Sequence, residues 1–242
     1  MLQKTKGIIL NSIKYSDSSI ITNIYTENFG RQSYIVSGTH NKKSKTKINI
    51  FQPLFILNLD VYYKPSREIQ RIKEAKIFSP LKTIPYDIVK SSTTIFLSEI
   101  LSKVLYEQTP NKDLFEFLIN SIKIFDTIEN GKSNFHLLFL LKLSKHLGFE
   151  PNIDDSINSR FFDLVEGKLV DFKPAHNHHI SEKHHNTFRE LLNKKYENLH
   201  DIKLNNHTRR YFLEKIVEYY KIHIPGIKEI KSLEVLNSLF NT

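Results

Sequence analysis

Lysines dominate the stretch from Thr39 to Lys47, which carries almost no apolar side chain. The four lysines are Lys42, Lys43, Lys45 and Lys47. A dense positive loop suits contact with nucleic-acid phosphates, because each ammonium that neutralises a phosphate releases a condensed counterion. The alternative is a solvated loop without a partner, which is the commoner case for lysine runs.

Further cations and rings accompany the segments on either side of this loop. The cations are Arg31, Arg67, Arg71 and Lys73, and the rings are Tyr15, Tyr34, Tyr62 and Tyr63. Nucleic-acid sites on small barrels combine cations on phosphates with aromatic rings under bases. A single tyrosine is nevertheless more often a core or edge residue.

A second basic patch stands at the start of a late helix, where Arg209 and Arg210 follow Lys203. It is a candidate for a further DNA contact. A solvated helix end explains the same residues equally well.

Five histidines fall within ten residues: His176, His178, His179, His184 and His185. Neutral imidazole is a good ligand for zinc, copper or nickel. Their spacing matches no standard zinc motif, and a loop between helices accepts polar residues freely. We therefore expect no resident metal, with His176, His178 and His179 as the substitute ligands if one binds.

Composition narrows the class of protein. The formal net charge is +9 with a pI near 9.4, which favours anionic partners, and cysteine is absent. No P-loop, GxGxxG, GxSxG, HExxH or EF-hand pattern occurs, so we expect no enzyme and no cofactor. The start resembles no signal peptide, and FHLLFLLKL is too short to span a bilayer, which indicates a soluble cytoplasmic protein.

The first 80 residues are patterned as strands. The five segments are Gly7 to Lys14, Ser19 to Thr26, Arg31 to Val36, Phe55 to Tyr63 and Glu68 to Phe78. In the fourth, Leu57, Leu59 and Val61 share a face with Phe55 and Tyr63, while Tyr62 belongs to the other face. Gly30, in the turn before the third segment, can take the positive φ that a hairpin connection often requires. Five short strands predict a small closed barrel, either an oligonucleotide-binding (OB) fold or an SH3-like barrel.

After Pro85 the apolar period changes from two to 3.6. Helices are predicted around Leu97–Leu105, Leu114–Phe125, Phe135–Leu147, Ser181–Tyr196 and from Asn206 or Thr208 onward, with a short terminal helix. The first has an apolar stripe of Leu97, Leu101, Val104 and Leu105, and the second is capped by Asn111 and has an inner face of Leu114, Phe117, Leu118 and Phe125. The third is apolar on nearly all sides, which predicts a buried helix, and Gly148 is its left-handed cap. Residues 160–173 predict a small hairpin among them. The fold class is therefore α+β and multi-domain: a five-stranded barrel over 1–80, then an all-α helical domain over 81–242 with an inserted β-hairpin.

Five segments in order resemble the bacterial recombination mediator RecO family over essentially the whole chain. They are GIILNSIKYSDSSIITNIYTENFGRQSYIVSG, NKKSKTK followed by FQPLFILNLDVYYK, HLLFLLKLSKHLGFEPNID, FFDLVEGKLV and YFLEKIVEYYKIHIPGIKEIKSLEVL. The resemblance implies an N-terminal OB barrel and a C-terminal helical domain. It makes Arg31 and the four loop lysines the main DNA candidates.

The resemblance also implies a function in DNA repair and recombination. Expected partners are single- and double-stranded DNA, RecR, the C-terminal tail of the single-strand-binding protein and, indirectly, RecA. Expected activities are the annealing of complementary strands and, with RecR, the loading of RecA onto DNA coated by single-strand-binding protein. The alternative is a helical protein-interaction scaffold that recruits these proteins and binds DNA only weakly.

The chain departs from the family pattern in one respect. Many members carry a four-cysteine zinc site around the hairpin, and here the corresponding segments, DDSINSRF and KPAHNHHI, contain no cysteine. We expect the hairpin to hold by packing of Phe161, Phe162, Leu164 and Phe172.

Overall fold

The computed structural model describes residues 1–37, 47–153 and 159–239. Its first five strands are β1 (Leu2–Ser16), β2 (Ser19–Thr26), β3 (Gly30–Ser37), β4 (Ile56–Tyr62) and β5 (Ile69–Ser79). They close into a barrel of order β1-β2-β3-β5-β4, with β3 and β5 parallel and the other neighbours antiparallel. This is the strand order of the OB-fold, which is thereby confirmed over the SH3-like alternative.

Period-two alternation decides which side chains fill the barrel. Leu57, Leu59 and Val61 lie in the core with Phe55 and Tyr63 packed against it, as predicted. Tyr34 and Val36 are also in the core, while Ile35 between them faces outward and is half-buried. The remaining core residues are Ile9, Ile20, Ile24, Phe51, Ile72 and Ala75.

A β-bulge lets the long strand β1 serve two neighbours. Its register with β2 passes from Ile9↔Ile24 to Asn11↔Asn23, so Leu10 is the extra residue. A bulge bends a strand and increases its twist. The first half of β1 consequently pairs with β4 and its second half with β2, which closes the barrel.

Helix α1 (Ile88–Val104) docks against the outside of this barrel. It begins after Asp87, whose carboxylate accepts hydrogen bonds from the backbone N–H groups of Val89 and Lys90. The Ser98 hydroxyl donates to the carbonyl of Leu10. The predicted stripe of Leu97, Leu101, Val104 and Leu105 is buried.

Arg31 fixes the far end of the same helix. Its Nη1 donates to the carbonyl oxygens of Ser102, at 2.9 Å, and Leu105, at 3.2 Å. Its backbone N–H donates to the carbonyl of Glu107 at 2.9 Å. A helix ends with unpaired carbonyls and a partial negative charge, so a guanidinium there satisfies both.

Gly30, next to Arg31, lies against the segment that follows α1, which includes Glu107 and Thr109. It has a φ of +60°, and a Cβ at this position would come within 2.5 Å of the Thr109 carbonyl oxygen. The positive φ confirms the sequence-based expectation for this glycine, and the close approach adds a second reason for it.

Helix α2 (Lys112–Thr127) completes the first compact unit, which runs from Met1 to Thr127. The Asn111 side chain caps its first turn by accepting from the Leu114 N–H at 3.0 Å, as predicted. Phe117 is only half-buried, and Phe115 is the buried ring instead. By compactness the unit therefore extends beyond the strands, and the domain boundary at residue 80 stays a prediction.

The second compact unit begins at Ile128. Its elements are α3 (Phe135–His146), β6 (Phe161–Asp163), β7 (Lys168–Val170), β8 (His179–Ile180), α4 (Glu182–Asn193), α5 (Asn206–His223) and α6 (Ser232–Leu239). Helix α3 is buried on nearly all sides and is followed by Gly148 with a φ of +85°, as its sequence predicts. None of the described helices has the length and apolar character needed to cross a bilayer.

The inserted hairpin is confirmed as β6 and β7, and β8 adds a third strand that the sequence did not predict. Phe162 and Leu164 are buried as expected, whereas Phe172 is 85% exposed and contributes nothing to the packing. Helix α4 ends at Asn193, short of the predicted Tyr196, which lies in a following 3₁₀ turn. Helix α5 begins at Asn206, one of the two predicted starts, and Asn205 caps it.

His136 on α3 is completely buried in the second unit. Burial, with a smaller contribution from the positive charge of Arg209, lowers the pKa of His136 to about 3. The unfolded chain therefore binds a proton near pH 6.5 that the folded chain does not accept. The contribution of the neutral His136 to the free energy of unfolding is therefore fully present above about pH 6.5. It is lost as the pH falls from about 6.5 toward 3.

We expect Arg31→Ala to lower the free energy of unfolding by about 1–3 kcal/mol, because it leaves two helix carbonyls without their charged donor. The matched control is Arg71→Ala, at an exposed position of β5, with an expected change within about 0.5 kcal/mol. Urea denaturation followed by circular dichroism measures both. Equal effects of the two substitutions would contradict the structural role of Arg31.

For His136 we expect the wild-type protein to lose about 2 kcal/mol of stability from this one group between pH 7 and pH 5. His136→Phe removes the titration, so its stability should depend less on pH by that amount. Denaturation curves of both proteins at pH 7, 6 and 5 test this, since all other groups contribute equally. If the free energy of unfolding fell equally with pH in both proteins, His136 would not be the titrating group.

Candidate nucleic-acid interface

One row of outward-facing side chains runs around the barrel across all five strands. Directly paired residues of neighbouring strands present their side chains on the same face. Following the registers from strand to strand gives the outer row Ile13, Ile21, Ile35, Arg71, Tyr62 and Leu2. Ile21 and Ile35 are half-buried and the other four are exposed, so this row is open to a ligand.

The neighbouring part of the outer face is already occupied by protein. Ser33 Oγ donates to Asn23 Oδ1 at 2.6 Å, and Asn23 Nδ2 donates to Asn11 Oδ1 at 2.8 Å. Asn11 Nδ2 then donates to Ser102 Oγ on α1 at 3.0 Å. Through these hydrogen bonds, the polar side chains between the outer row and Arg31 are bonded to one another and to α1.

Four cations lie in or next to the outer row on the β4–β5 side. Arg71 is the direct cross-strand partner of Tyr62, and Lys73 is the extra residue of a bulge, since Val61 pairs with Ile72 and Asp60 with Glu74. Lys64 and Arg67 lie in the β4–β5 connection. All four are exposed, and no described carboxylate forms an ion pair with any of them. Their charges are available to an external anion.

Of the lysine-rich loop from Thr39 to Lys47, only Lys47 belongs to the residues that the structure describes. Lys47 is exposed and precedes a 3₁₀ turn at Ile48–Ile50. Ser37, where β3 ends, is exposed as well. Lys42, Lys43 and Lys45 lie outside the described residues, so their part in DNA binding stays a prediction.

Two predicted DNA contacts have structural partners instead. Arg31 is half-buried and donates to the carbonyls at the end of α1, and burial lowers its pKa. Arg209 is 8% exposed, and its three donor nitrogens bond Asn134 Oδ1, Asn206 Oδ1 and the Leu204 carbonyl at 2.8–2.9 Å. We therefore correct the sequence-based assignment of both, because Nη1 of Arg31 and all three donor nitrogens of Arg209 are directed into the protein.

Arg210 remains on the surface. It is exposed and makes an i,i+4 pair with Glu214, with 2.8 Å between Nε and Oε1. A single exposed pair of this kind is weak, so the guanidinium can exchange partners readily. Its proposed DNA contact stays a prediction.

The four tyrosines considered from the sequence separate into two pairs. Tyr34 lies in the barrel core and Tyr63 is half-buried, with its ring stacked on Phe29 at a centroid distance of 4.1 Å. Tyr15 and Tyr62 are exposed, by 63% and 47%. Only the second pair can present a ring to a ligand.

Lys64 was missed by the sequence analysis. Its signal was its position, directly before the Pro65-Ser66 turn of the β4–β5 loop. That loop is one of the two that flank the ligand face of OB-folds.

The histidine-rich segment does not converge on a metal site. His176 Nε2 is 3.3 Å from Asp163 Oδ2, His178 Nδ1 is 2.6 Å from Glu218 Oε1, and His179 Nδ1 is 2.9 Å from the His176 carbonyl. Each imidazole thus has a different partner, and no three ligating side chains group together in the described part of the chain. With no cysteine in the chain, its residues do not fit the four-cysteine zinc site that the resemblance attributes to many family members, and the expectation of no resident metal stays a prediction.

Comparison with known proteins bears on both parts of the chain. The family model "Recombination protein O N terminal" matches residues 1–81, and "Recombination protein O C terminal" matches residues 85–234. DNA repair protein RecO of Bacteroides fragilis is 40% identical over 242 residues, covering all of both chains. The proteins of that name from Phocaeicola vulgatus and Porphyromonas gingivalis are 38% and 30% identical, again over both full lengths. The chain belongs to the RecO family of DNA repair proteins.

Proposed function

We propose that this protein is a non-enzymatic mediator of DNA repair and recombination that binds single- and double-stranded DNA through its barrel. The observation that carries the proposal is the set of exposed cations in and beside the outer row that form no ion pair with a described carboxylate. They are Lys64, Arg67, Arg71 and Lys73, which join Lys47 and the predicted contacts Lys42, Lys43 and Lys45. An OB barrel with such a surface suits a nucleic-acid backbone.

The proposed mechanism of annealing is charge neutralisation. Two complementary strands repel one another through their phosphates, and lysine or arginine side chains on the phosphates reduce that repulsion. Phosphate contacts carry no sequence information, so base pairing between the strands supplies the specificity. The protein then needs neither a nucleotide cofactor nor a catalytic group.

Partner proteins extend this proposal. Family membership supports cooperation with RecR, with the C-terminal tail of the single-strand-binding protein and, through them, with RecA. In this scheme the protein binds DNA coated by single-strand-binding protein and, with RecR, helps to load RecA. The helical unit is the proposed contact for the partner proteins.

The first test is the salt dependence of binding to a labelled oligonucleotide, measured by fluorescence anisotropy. The triple variant Arg67→Gln, Arg71→Gln, Lys73→Gln should bind a single strand more weakly. Each lost phosphate contact makes the negative slope of log K against log salt less steep by about 0.7. For three lost contacts we therefore expect the slope to become less steep by about two. Unrelated sequences should be affected equally.

A matched control removes the same charge elsewhere. Lys112, Lys145 and Arg160 are exposed and already paired with Glu116, Glu150 and Glu182. Changing these three to Gln lowers the net charge equally and should alter the affinity by less than about threefold. Equal losses in both variants would mean that net charge alone, and not the barrel surface, attracts DNA.

The lysine loop is tested by Lys42, Lys43, Lys45 and Lys47 all changed to Gln. We expect a further, sequence-independent loss of affinity that adds to the loss in the triple variant. Wild-type protein that fails to bind DNA at low salt would overturn the mediator proposal. The scaffold that recruits partner proteins would then be the better account.

A further inference from the structure

Two consecutive tyrosines at the end of β4 occupy opposite environments. Tyr63 packs against Phe29, and its backbone N–H donates to the Met1 carbonyl at 3.0 Å. Tyr62 is on the outer face, 47% exposed, and makes no ring contact with any described residue. The first ring is part of the barrel, whereas the second has no ring partner among the residues that the structure describes.

The surroundings of Tyr62 combine apolar surface with positive charge. Leu2 lies beside it on β1 and is 42% exposed, while Arg71 lies directly opposite on β5. Ile35 follows beyond Arg71 in the same row. A ligand for this surface must offer a flat apolar group and negative charge within a few ångströms of each other.

An unpaired nucleotide has this chemistry. Its base has an exposed π-face that stacks on an aromatic ring, and its phosphates on either side attract cations. A base inside a duplex is covered on both faces by its neighbours, so a ring on a protein surface cannot reach it without unstacking. The charge and shape of the surface therefore favour a single strand over a duplex.

We propose that Tyr62 stacks on one base of a single strand while Arg71 and Lys73 hold the adjacent phosphates. This inference rests on the proposed function, since it assigns a subsite within the same surface. Duplex DNA would then bind through the cations alone. Stacking uses the face of the base and leaves its pairing edge free, so a held strand can still meet its complement.

The test compares Tyr62→Ala and Tyr62→Phe on two oligonucleotides of equal length, oligo-dT and an abasic strand with the same phosphates. Wild-type protein should bind oligo-dT about tenfold more tightly than the abasic strand. Tyr62→Ala should remove this difference by weakening only the oligo-dT complex, while Tyr62→Phe keeps the ring and should retain it. The salt slope should be the same for all three proteins, because no phosphate contact changes.

Two controls keep the outcomes distinct. Tyr86→Ala, at a tyrosine that is 87% exposed and outside the outer row, should leave the affinity for both strands unchanged. Binding to a duplex should change by less than about twofold in Tyr62→Ala. Near-wild-type circular dichroism and urea denaturation show that each variant is folded.

The stacking proposal is overturned if Tyr62→Ala preserves the preference for oligo-dT, or weakens binding to the abasic strand equally. Either result would leave charge-driven binding by the barrel intact. Loss of binding in the triple cation variant with no effect of Tyr62→Ala would likewise retain the mediator function and reject the stacked base. Absence of all DNA binding by wild-type protein would reject the proposed function as well.

Discussion

The docking of α1 against β1 and against Arg31 of β3 is the constraint on which the candidate interface depends. Arg31 lies between the carbonyls of Ser102 and Leu105, where a positive charge also complements the negative end of the helix dipole. The helix and its polar contacts with Asn11 cover part of the face that an isolated OB barrel would offer to a ligand. The outer row and its cations remain open, so the position of this helix determines which surface is left for the proposed contact with DNA.

The barrel could be predicted from the sequence because period-two alternation fixes both the existence of a strand and the face that it buries. Leu57, Leu59 and Val61 had to share one face, and Tyr62 had to lie on the other. Features that depend on tertiary partners were not predictable in this way. Strand β8 has two residues, too few for any period to be seen, and it forms because β6 offers it a free edge. Phe115 is buried in place of Phe117 because it meets Tyr25 of the barrel, at a ring distance of 6.2 Å.

The candidate site was predictable only as a list of charges. Arg67, Arg71, Lys73 and Lys47 are exposed as expected, whereas Arg31 and Arg209 direct their guanidinium groups at backbone carbonyls and side-chain oxygens within the fold. These six residues cannot be told apart in the sequence, because neither a lysine nor an arginine carries a local sign of the acceptors that distant segments bring to it. Alternation predicted that Tyr62 and Tyr63 lie on opposite faces of their strand. The stacking of Tyr63 on Phe29 could not be predicted in this way, because Phe29 lies in the distant turn between β2 and β3.

Asp126, near the end of α2, accepts hydrogen bonds at 2.7–2.9 Å from the backbone N–H groups of Lys82, Thr83 and Ile84, directly after the last barrel strand. The buried Lys90 adds bonds to Thr83 Oγ1 and to the Asp126 carbonyl. These contacts fasten the segment that leaves the barrel to the second helix. A fragment that stops at residue 80 would lack this fastening and would uncover the apolar surface under α1, which favours aggregation. A fragment meant to contain the barrel with these contacts intact should therefore extend through α2 to residue 127, where the compact unit ends.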